Sequence, residues 1–382
     1  MALNWVWTGF FIVAFATAVV RWLLGEVGIF QALLTAMFDG ARAGFEISLG
    51  LAGIMALWLG LMRVGERAGM VELLARLAGP LLRRLFPAVP DGHPAQGAMT
   101  LNISANLLGL DNAATPLGLK AMQELQTLNR EPSGTASNAQ IMFVVMNTAG
   151  LTLIPTSVIA IRQSVALKQG LGAGFNAADI FLPTLLVTFA SLLAGVLAVA
   201  MAQRLPLWRA RLWLPLLAVG GLLAAAVAGL ARLPAERAAQ VAGTTGAAVI
   251  LGVVLLFLLA GTWRRVNMYD AFIDGAKEGF GVAVQIIPYL IAILVAIGVF
   301  RAAGCMDALL SAIGAGVATL GWNTDFLPAL PVGLMKVLSG AGARGLMIDV
   351  LQTHGVDSFV GRLAAIIQGS TETTFYVLAV YF

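Results

Sequence analysis

Two runs of polar residues stand inside otherwise apolar sequence, and they hold the groups able to do chemistry. The first reads Asn102-Ile-Ser104-Ala-Asn106-Leu-Leu-Gly109-Leu-Asp111-Asn112-Ala-Ala-Thr115-Pro116, followed by Asn147, Thr148, Thr152 and Pro155-Thr156-Ser157. The second joins Lys336, Ser339 and Arg344 to Gln368-Gly-Ser370-Thr371-Glu372-Thr373-Thr374. Amides and hydroxyls of this kind bind polar organic groups through hydrogen bonds. Glu372 adds a carboxylate well inside an apolar stretch, where it is costly and by default faces a cavity or a partner. It can bind H⁺ or Na⁺ as a coupling ion, or pair permanently with a cation, for which Lys336 and Arg344 are candidates. Gly109 can turn the chain, and Pro116 suits the first turn of a helix running on from Leu117. The N-terminal amides of that helix can hold an anionic or carbonyl group. Pro155 frees backbone groups in mid-membrane, a device for opening a site.

The residues expected to bind solute are Asn106, Asp111, Asn112, Thr115, Asn147, Thr148, Ser339, Arg344, Gln368, Ser370, Thr371, Glu372 and Thr373. Each has a structural alternative, since Ser and Thr satisfy their own helix backbone and Asn ties helices together. Two clusters at matched places in two halves tip the balance toward a shared site.

Catalysis is not expected. There is no Gly-rich loop ending in GKS or GKT, no HExxH and no GxSxG, and Ser370 and Glu372 lack a histidine neighbour. His93, His354 and the single Cys305 supply neither a histidine-rich metal site nor an intrachain disulfide. Cys305 reads as a small buried hydrophobe. No cofactor is expected.

The elements that must position these residues follow from composition. Of 382 residues, 59% are hydrophobic and 11% charged, with mean hydropathy +0.90. Soluble domains carry about 25% charged residues, so the solvent for this chain is the bilayer. The formal charge of +4 does not point to nucleic acid, because the basic residues cap apolar segments instead of forming a run. Apolar stretches predict spans at 4–24, 43–62, 137–161, 178–202, 212–231, 244–263, 281–300 and 358–382, the first being a membrane helix and not a cleaved signal. Residues 66–86 pattern as an amphipathic interfacial helix with Leu73, Leu74, Leu77, Leu81 and Leu82 near one face. Residues 99–128 and 328–351 are too interrupted to span and read as re-entrant helical hairpins.

An internal repeat ties the halves together. Asp39-Gly-Ala-Arg-Ala-Gly-Phe45 matches Asp274-Gly-Ala-Lys-Glu-Gly-Phe280 at an offset of 235, which holds on to Gly69 and Gly304. Asp39 and Asp274 read as caps of turns before amphipathic helices. Five predicted spans lie between the repeat starts, and odd parity inverts the second copy. The expected organisation is an N-terminal helix (1–27), a first repeat (28–170), linking helices (171–266) and a second repeat (267–382). Each repeat has an interfacial helix, a re-entrant hairpin and a polar-centred transmembrane helix. Eleven basic residues against seven place the N-terminus in the cytoplasm, with Arg162 in the outer set and Glu46 and Asp349 exposed at interfaces.

The motifs MALWLGLM (55–62), NISANLLGLDNAATPLGLKAMQEL (102–125) and NTAGLTLIPTSVIAIR (147–162) resemble the spore maturation protein A family. IIPYLIAILVAIGVFRAAGCMDAL (286–309) and SFVGRLAAIIQGSTETTFYVLAVYF (358–382) resemble the spore maturation protein B family. The resemblance covers nearly the whole chain and implies a fusion of the two. Both families fall in the nucleoside-recognition, or gate-domain, superfamily, related to concentrative nucleoside transporters and to the membrane part of ferrous iron transporter B. It implies that the hairpins and the polar helices after them line a central solute site. The relatives of the second half continue past the position of Phe382, which stands inside an apolar run, so either a truncated sequence or a missing final helix is expected. The function expected is alternating-access transport, or facilitated passage, of a small polar organic solute across the bacterial inner membrane. The alternative is a non-transporting membrane scaffold or regulator. The expected partners are the solute, the lipid bilayer and a homo-oligomer, with no nucleic acid.

Overall fold

The computed structural model describes residues 2–109, 111–150, 152–172, 174–205 and 210–381, with side chains described except at 2–3, 111–113, 210–216, 227, 231, 235–236 and 239. Among the described residues every regular element is helical. In chain order these are α1 (Ala2–Leu23), α2 (Ile29–Arg67), α3 (Met70–Leu85), α4 (Pro94–Leu107), α5 (Asp111–Thr127), α6 (Asn138–Thr148), α7 (Thr156–Lys168) and α8 (Phe181–Ala202). There follow α9 (Ala210–Ala231), α10 (Ala235–Trp263), α11 (Met268–Ala302), α12 (Cys305–Thr319), α13 (Leu330–Leu338), α14 (Gly340–His354), α15 (Phe359–Ser370) and α16 (Thr374–Tyr381).

Among the described residues, six stretches of helix are long and apolar enough to cross a membrane, by length and composition: Asn4–Leu23, Ile29–Arg67, Ala177–Ala202, Gln240–Trp263, Met268–Ala302 and, with a break inside it, Phe359–Tyr381. Helices satisfy their own backbone in lipid, and the chain is a multi-pass helical membrane protein. The expected span at 43–62 is the second part of the 39-residue α2. That at 137–161 is not continuous: it divides into α6 and α7, because Pro155 has no N–H to give and disfavours helical backbone at Ile154. That at 358–382 divides into α15 and α16 around 371–373. Asp39 and Asp274 lie inside α2 and α11 instead of capping them, so the sequence motif marks helix interiors.

The offset of 235 recurs in the helix boundaries. α2 ends at Arg67 and α11 at Ala302, α3 begins at Met70 and α12 at Cys305, so both pairs stand 235 positions apart. Between them sit Gly69 (φ 73°) and Gly304 (φ 80°), also 235 apart, both in the left-handed region that glycine enters without Cβ strain. After this corner each half continues as a short helix, a helical pair and a broken helix.

The chain forms two compact units. Unit 1 comprises Met1–Met55, Ala160–Phe175 and Gly279–Gln368; unit 2 comprises Ala56–Ile159, Asn176–Glu278 and Gly369–Phe382. Neither unit is one repeat. Unit 2 takes the first helical pair, α4–α5, with α6 and α16, whereas unit 1 takes the second, α13–α14, with α15 and most of α7.

In unit 1, α2 and α11 run antiparallel at close range. A Cβ at Gly40 would lie 2.9 Å from the Leu294 carbonyl oxygen, one at Gly44 3.0 Å from the Ile291 Cα, and one at Gly298 3.2 Å from the Ala36 carbonyl oxygen. In unit 2 a Cβ at Gly275 would lie 2.3 Å from the Leu59 carbonyl oxygen. Small residues permit such backbone contact in membranes. Nearby, Arg63 pairs with Glu278 at 2.5 Å and Arg67 with Asp274 at 2.8 Å.

The core of unit 2 packs Leu82, Leu85 and Phe86 against Met99, Leu125, Met142, Phe143 and Val377, which fixes α4, α5, α6 and α16 around one apolar centre. On α3, Leu82 belongs to this buried face, while Leu73 and Leu77 are exposed. The apolar residues of the amphipathic helix therefore serve two sides. Cys305 is buried, its Sγ 3.3 Å from Thr17 Oγ1.

Candidate functional site

Three irregular segments meet in unit 2. Gly109, with φ 73°, reverses the chain between α4 and α5, and the Cβ it lacks would stand 3.1 Å from the Ile154 carbonyl oxygen. The Leu153 amide donates to the Leu107 carbonyl at 2.8 Å, so the tip of the helical pair is tied to the α6–α7 break. The Glu372 amide donates to the Thr148 carbonyl at 2.9 Å, which brings the α15–α16 break to the C-terminal end of α6. Gly150 lies there too; a Cβ on it would stand 3.9 Å from Glu372 Cγ. Each break leaves helix carbonyls and amides without intrahelical partners, and these are the groups that could serve a solute or ion.

The helix after the tip starts earlier than expected. α5 begins at Asp111, so Pro116 is inside it and the Asp111–Thr115 run forms its opening turns. Gly109 already supplies the reversal, leaving no need for a loop up to Pro116. The side chains of Asp111 and Asn112 are outside the described residues. Thr115 is half-buried on α5.

Asn106 Nδ2 donates to Asn147 Oδ1 at 2.8 Å, and Asn147 Nδ2 donates to the Phe143 carbonyl at 2.9 Å. Tyr381 OH also donates to Asn147 Oδ1, at 3.3 Å, and its oxygen accepts from Asn102 Nδ2 at 3.4 Å. Asn102 Nδ2 reaches the Ala114 carbonyl at 2.8 Å. This network joins α4, α5, α6 and α16. The Tyr381 ring stacks on Phe143 with centroids 5.9 Å apart, and its hydroxyl fills the place where a Cβ on Gly118 would sit. Thr148 Oγ1 donates to the Val144 carbonyl of its own helix at 2.9 Å. The structural alternative therefore holds for Thr148 and accounts for much of the capacity of Asn106 and Asn147.

Glu372 is half-buried at the break, between the half-buried Thr371 and the buried Thr373. Its side chain makes no hydrogen bond or ion pair among the described residues. Ser370 is buried just before it. Thr184, on α8, is fully buried beside this segment: its Cγ2 would lie 3.0 Å from a Cβ on Gly369, while its Oγ1 has no hydrogen-bond partner among the described residues. Ser104 Oγ and Asn102 Oδ1 are likewise buried without a partner. Such orphaned acceptors are costly unless something polar satisfies them.

The other expected residues belong to unit 1. Ser339 joins α13 to α14, and its Oγ accepts from the Gly342 amide at 3.0 Å, which makes it a helix cap. Gln368 Nε2 reaches the Gly340 carbonyl at 3.5 Å, while its Oε1 is buried without a partner among the described residues. Lys336 is buried, and Arg344 half-buried on α14. Thus Asn106, Asn147, Thr148 and Glu372 come together in unit 2, while in unit 1 Gln368 meets the start of α14 beside Ser339, the helix that also carries Arg344.

Two charged residues differ from expectation. Arg162 is fully buried, with Nη2 donating to the Val356 carbonyl at 3.1 Å and its guanidinium 5.2 Å from the Phe175 ring centre. Asp349 is ion-paired with Arg301, and its side chain is only 14% exposed. Both partners are remote in sequence, so hydropathy gave no sign of them. Nor does the sequence single out Thr184, within a linking helix, or Tyr381, at the end of an apolar run.

An all-helical, multi-pass membrane protein with two helical pairs and two broken helices is the class these features define. The nucleoside-recognition Gate family model matches residues 48–165 and 283–382, more than half of the chain, and the chain belongs to this family. It is similar to spore maturation protein A of Bacillus subtilis (strain 168), at 39% identity over 170 residues, 44% of this chain and 83% of that protein. It is also similar to spore maturation protein B of the same organism, at 42% identity over 135 residues, 35% of this chain and 74% of that protein. No solved structure matches the chain.

Proposed function

We propose that this protein carries a small polar organic solute across the bacterial inner membrane, binding it where irregular backbone meets Glu372. The observation that carries this reading is the Glu372–Thr148 backbone bond, which holds two helix breaks together beside an unpartnered carboxylate and the orphaned Thr184 hydroxyl. Broken helices lining a cavity are a recurring way of building transport sites. Glu372 is the proposed seat of the coupling ion, H⁺ or Na⁺, or of a cationic group of the solute. Ser370, Thr371 and Thr373 are its proposed neighbours, with Asn112, Asp111 and Thr115 offered by α5. Ser339, Arg344 and Gln368 would serve the equivalent place in the second half. The family's description makes nucleosides the first solutes to try.

Alternating access is commonly built from inverted repeats, which here would carry re-entrant hairpins at α4–α5 and α13–α14. What supports inversion is a swapped contact. Gly40 and Gly275 are equivalent at the 235 offset, as are Leu59 and Leu294, and Gly40 meets Leu294 as Gly275 meets Leu59. The antiparallel run of α2 and α11 within unit 1 agrees with such inversion. A second swap extends the repeats to the preceding helices. Arg21, at the end of α1, has Nη1 3.1 Å from a Cβ on Gly304, and Arg264, just after α10, would be overlapped by a Cβ on Gly69. On this reading α10 would go with the second repeat, leaving α8 and α9 as the linkers. The burial of Arg162 removes one cation from the outer set, which favours a cytoplasmic N-terminus.

One observation favours a scaffold instead: the Asn102–Asn106–Asn147–Tyr381 network is largely closed on itself. A thermal-shift screen of the purified protein against nucleosides, amino acids, dicarboxylates and organic cations separates the two readings. A binder stabilises the folded state by mass action. A transporter shows a ligand-dependent rise that Glu372→Gln abolishes; a scaffold shows none.

A further inference from the structure

Away from this site, a groove of about 510 Å³ opens between α3 and α4 in unit 2. Glu72, Arg76, Gly79 and Arg83 of α3 line one wall, and Gln96 and Gly97 of α4 the other. Spacings of four, three and four residues set the α3 residues along one helix stripe. Arg76 and Arg83 are exposed and make no hydrogen bond or ion pair among the described residues, not even between Arg76 and Glu72 one turn away. The floor is open: beyond its own helix backbone and chain neighbours, a Cβ on Gly79 or Gly97 would meet nothing within 4 Å. Beside the stripe, Leu73 and Leu77 are 44% and 70% exposed.

We propose that this groove binds the phosphate of an anionic phospholipid headgroup, with Arg76 and Arg83 as its cationic contacts and Leu73 and Leu77 against the acyl chains. The repeat supplies an internal control. α12 occupies the place of α3 in the second half and keeps Asp307 for Glu72 and Gly314 for Gly79. Yet Ser311, Ala318 and Thr319 stand where α3 has Arg76, Arg83 and Arg84. The fold can thus build this helix without the arginines, so its packing does not require them. Guanidinium groups bind phosphate through paired N–H donors, and basic residues on interfacial helices recognise anionic lipid. Exposed leucines adjoining the arginines favour an amphiphile over a soluble phosphate. Glu72 and Gln96 suit the hydroxyls of a glycerol headgroup, so phosphatidylglycerol is the committed occupant.

The test uses the full chain in neutral detergent, titrated with dioleoyl-phosphatidylglycerol, dioleoyl-phosphatidylcholine or inorganic phosphate, with bound lipid counted by native mass spectrometry. Phosphatidylglycerol is expected to bind selectively, and R76Q/R83Q to weaken it roughly 10- to 30-fold. The control R232Q/R237Q, with the same change of charge at exposed sites, should leave it unchanged. Gly97→Leu fills the groove at constant charge and should weaken binding as well, which keeps the test alive if the arginine variant folds poorly. Undiminished lipid binding in either groove variant, or inorganic phosphate competing at the affinity of the lipid, would overturn the proposal.

Discussion

The amide of Glu372 donates to the carbonyl oxygen of Thr148 across 2.9 Å, joining two helix breaks that are more than 200 positions apart in the chain. The bond explains why the chain leaves the helix at 371–373 without proline. Hydroxyl-bearing residues compete for backbone groups, and here a partner outside the helix takes the freed amide. The bond thereby ties the segment that carries the carboxylate to the C-terminal end of α6.

The Asn106–Asn147 bond should be measurable as a coupling. A double-mutant cycle of Asn106→Ala and Asn147→Ala, followed by unfolding in detergent, is expected to give about 0.6–1.7 kcal/mol of interaction energy. Strict additivity would mean that the two amides do not act on one another.

Close glycine contacts make a second prediction. Gly40→Leu and Gly275→Leu each push a side chain into the backbone of the opposite helix, at Leu294 and Leu59. Overpacking of this kind costs about 1–3 kcal/mol, so both variants should melt earlier by comparable amounts. Gly53, which has open space around it, is the control that should tolerate leucine. A melting point unchanged by Gly275→Leu would contradict the close approach.

Inversion can be read by labelling. Cys305 is the single cysteine, so Cys305→Ser supplies a clean background. Cysteines placed at Glu72 and Asp307, equivalent and exposed positions of the two repeats, should react with a membrane-impermeant thiol reagent from opposite sides of oriented vesicles. Labelling of both from one side would rule out inverted copies.

Much of this architecture was legible in the sequence because its signals are local. Gly69 and Gly304 stand at matched offsets and both take positive φ, and Pro155 marks the first break where a missing N–H requires it. The motif at Asp39 and Asp274 revealed the repeat but misled about caps, since a 39-residue helix absorbs residues that would cap a shorter one. The candidate site was legible as composition and not as bonding. Asn147 is drawn to Asn106 and Tyr381, and Arg162 to Val356 and Phe175, through contacts that only the folded chain creates. Ser339 reads as a ligand from its polarity, and the fold adds its bond to the Gly342 amide as a helix cap.

Uptake tests the central claim most directly. Protein reconstituted in proteoliposomes, with a panel of radiolabelled nucleosides and an imposed H⁺ or Na⁺ gradient, should accumulate at least one solute above empty liposomes. Glu372→Gln, folded and equally reconstituted, should lose that accumulation by roughly tenfold or more, the loss of one charge-assisted contact of about 1.5–3 kcal/mol. Uptake by Glu372→Gln at the wild-type rate and with the wild-type gradient dependence would contradict the assignment of the site.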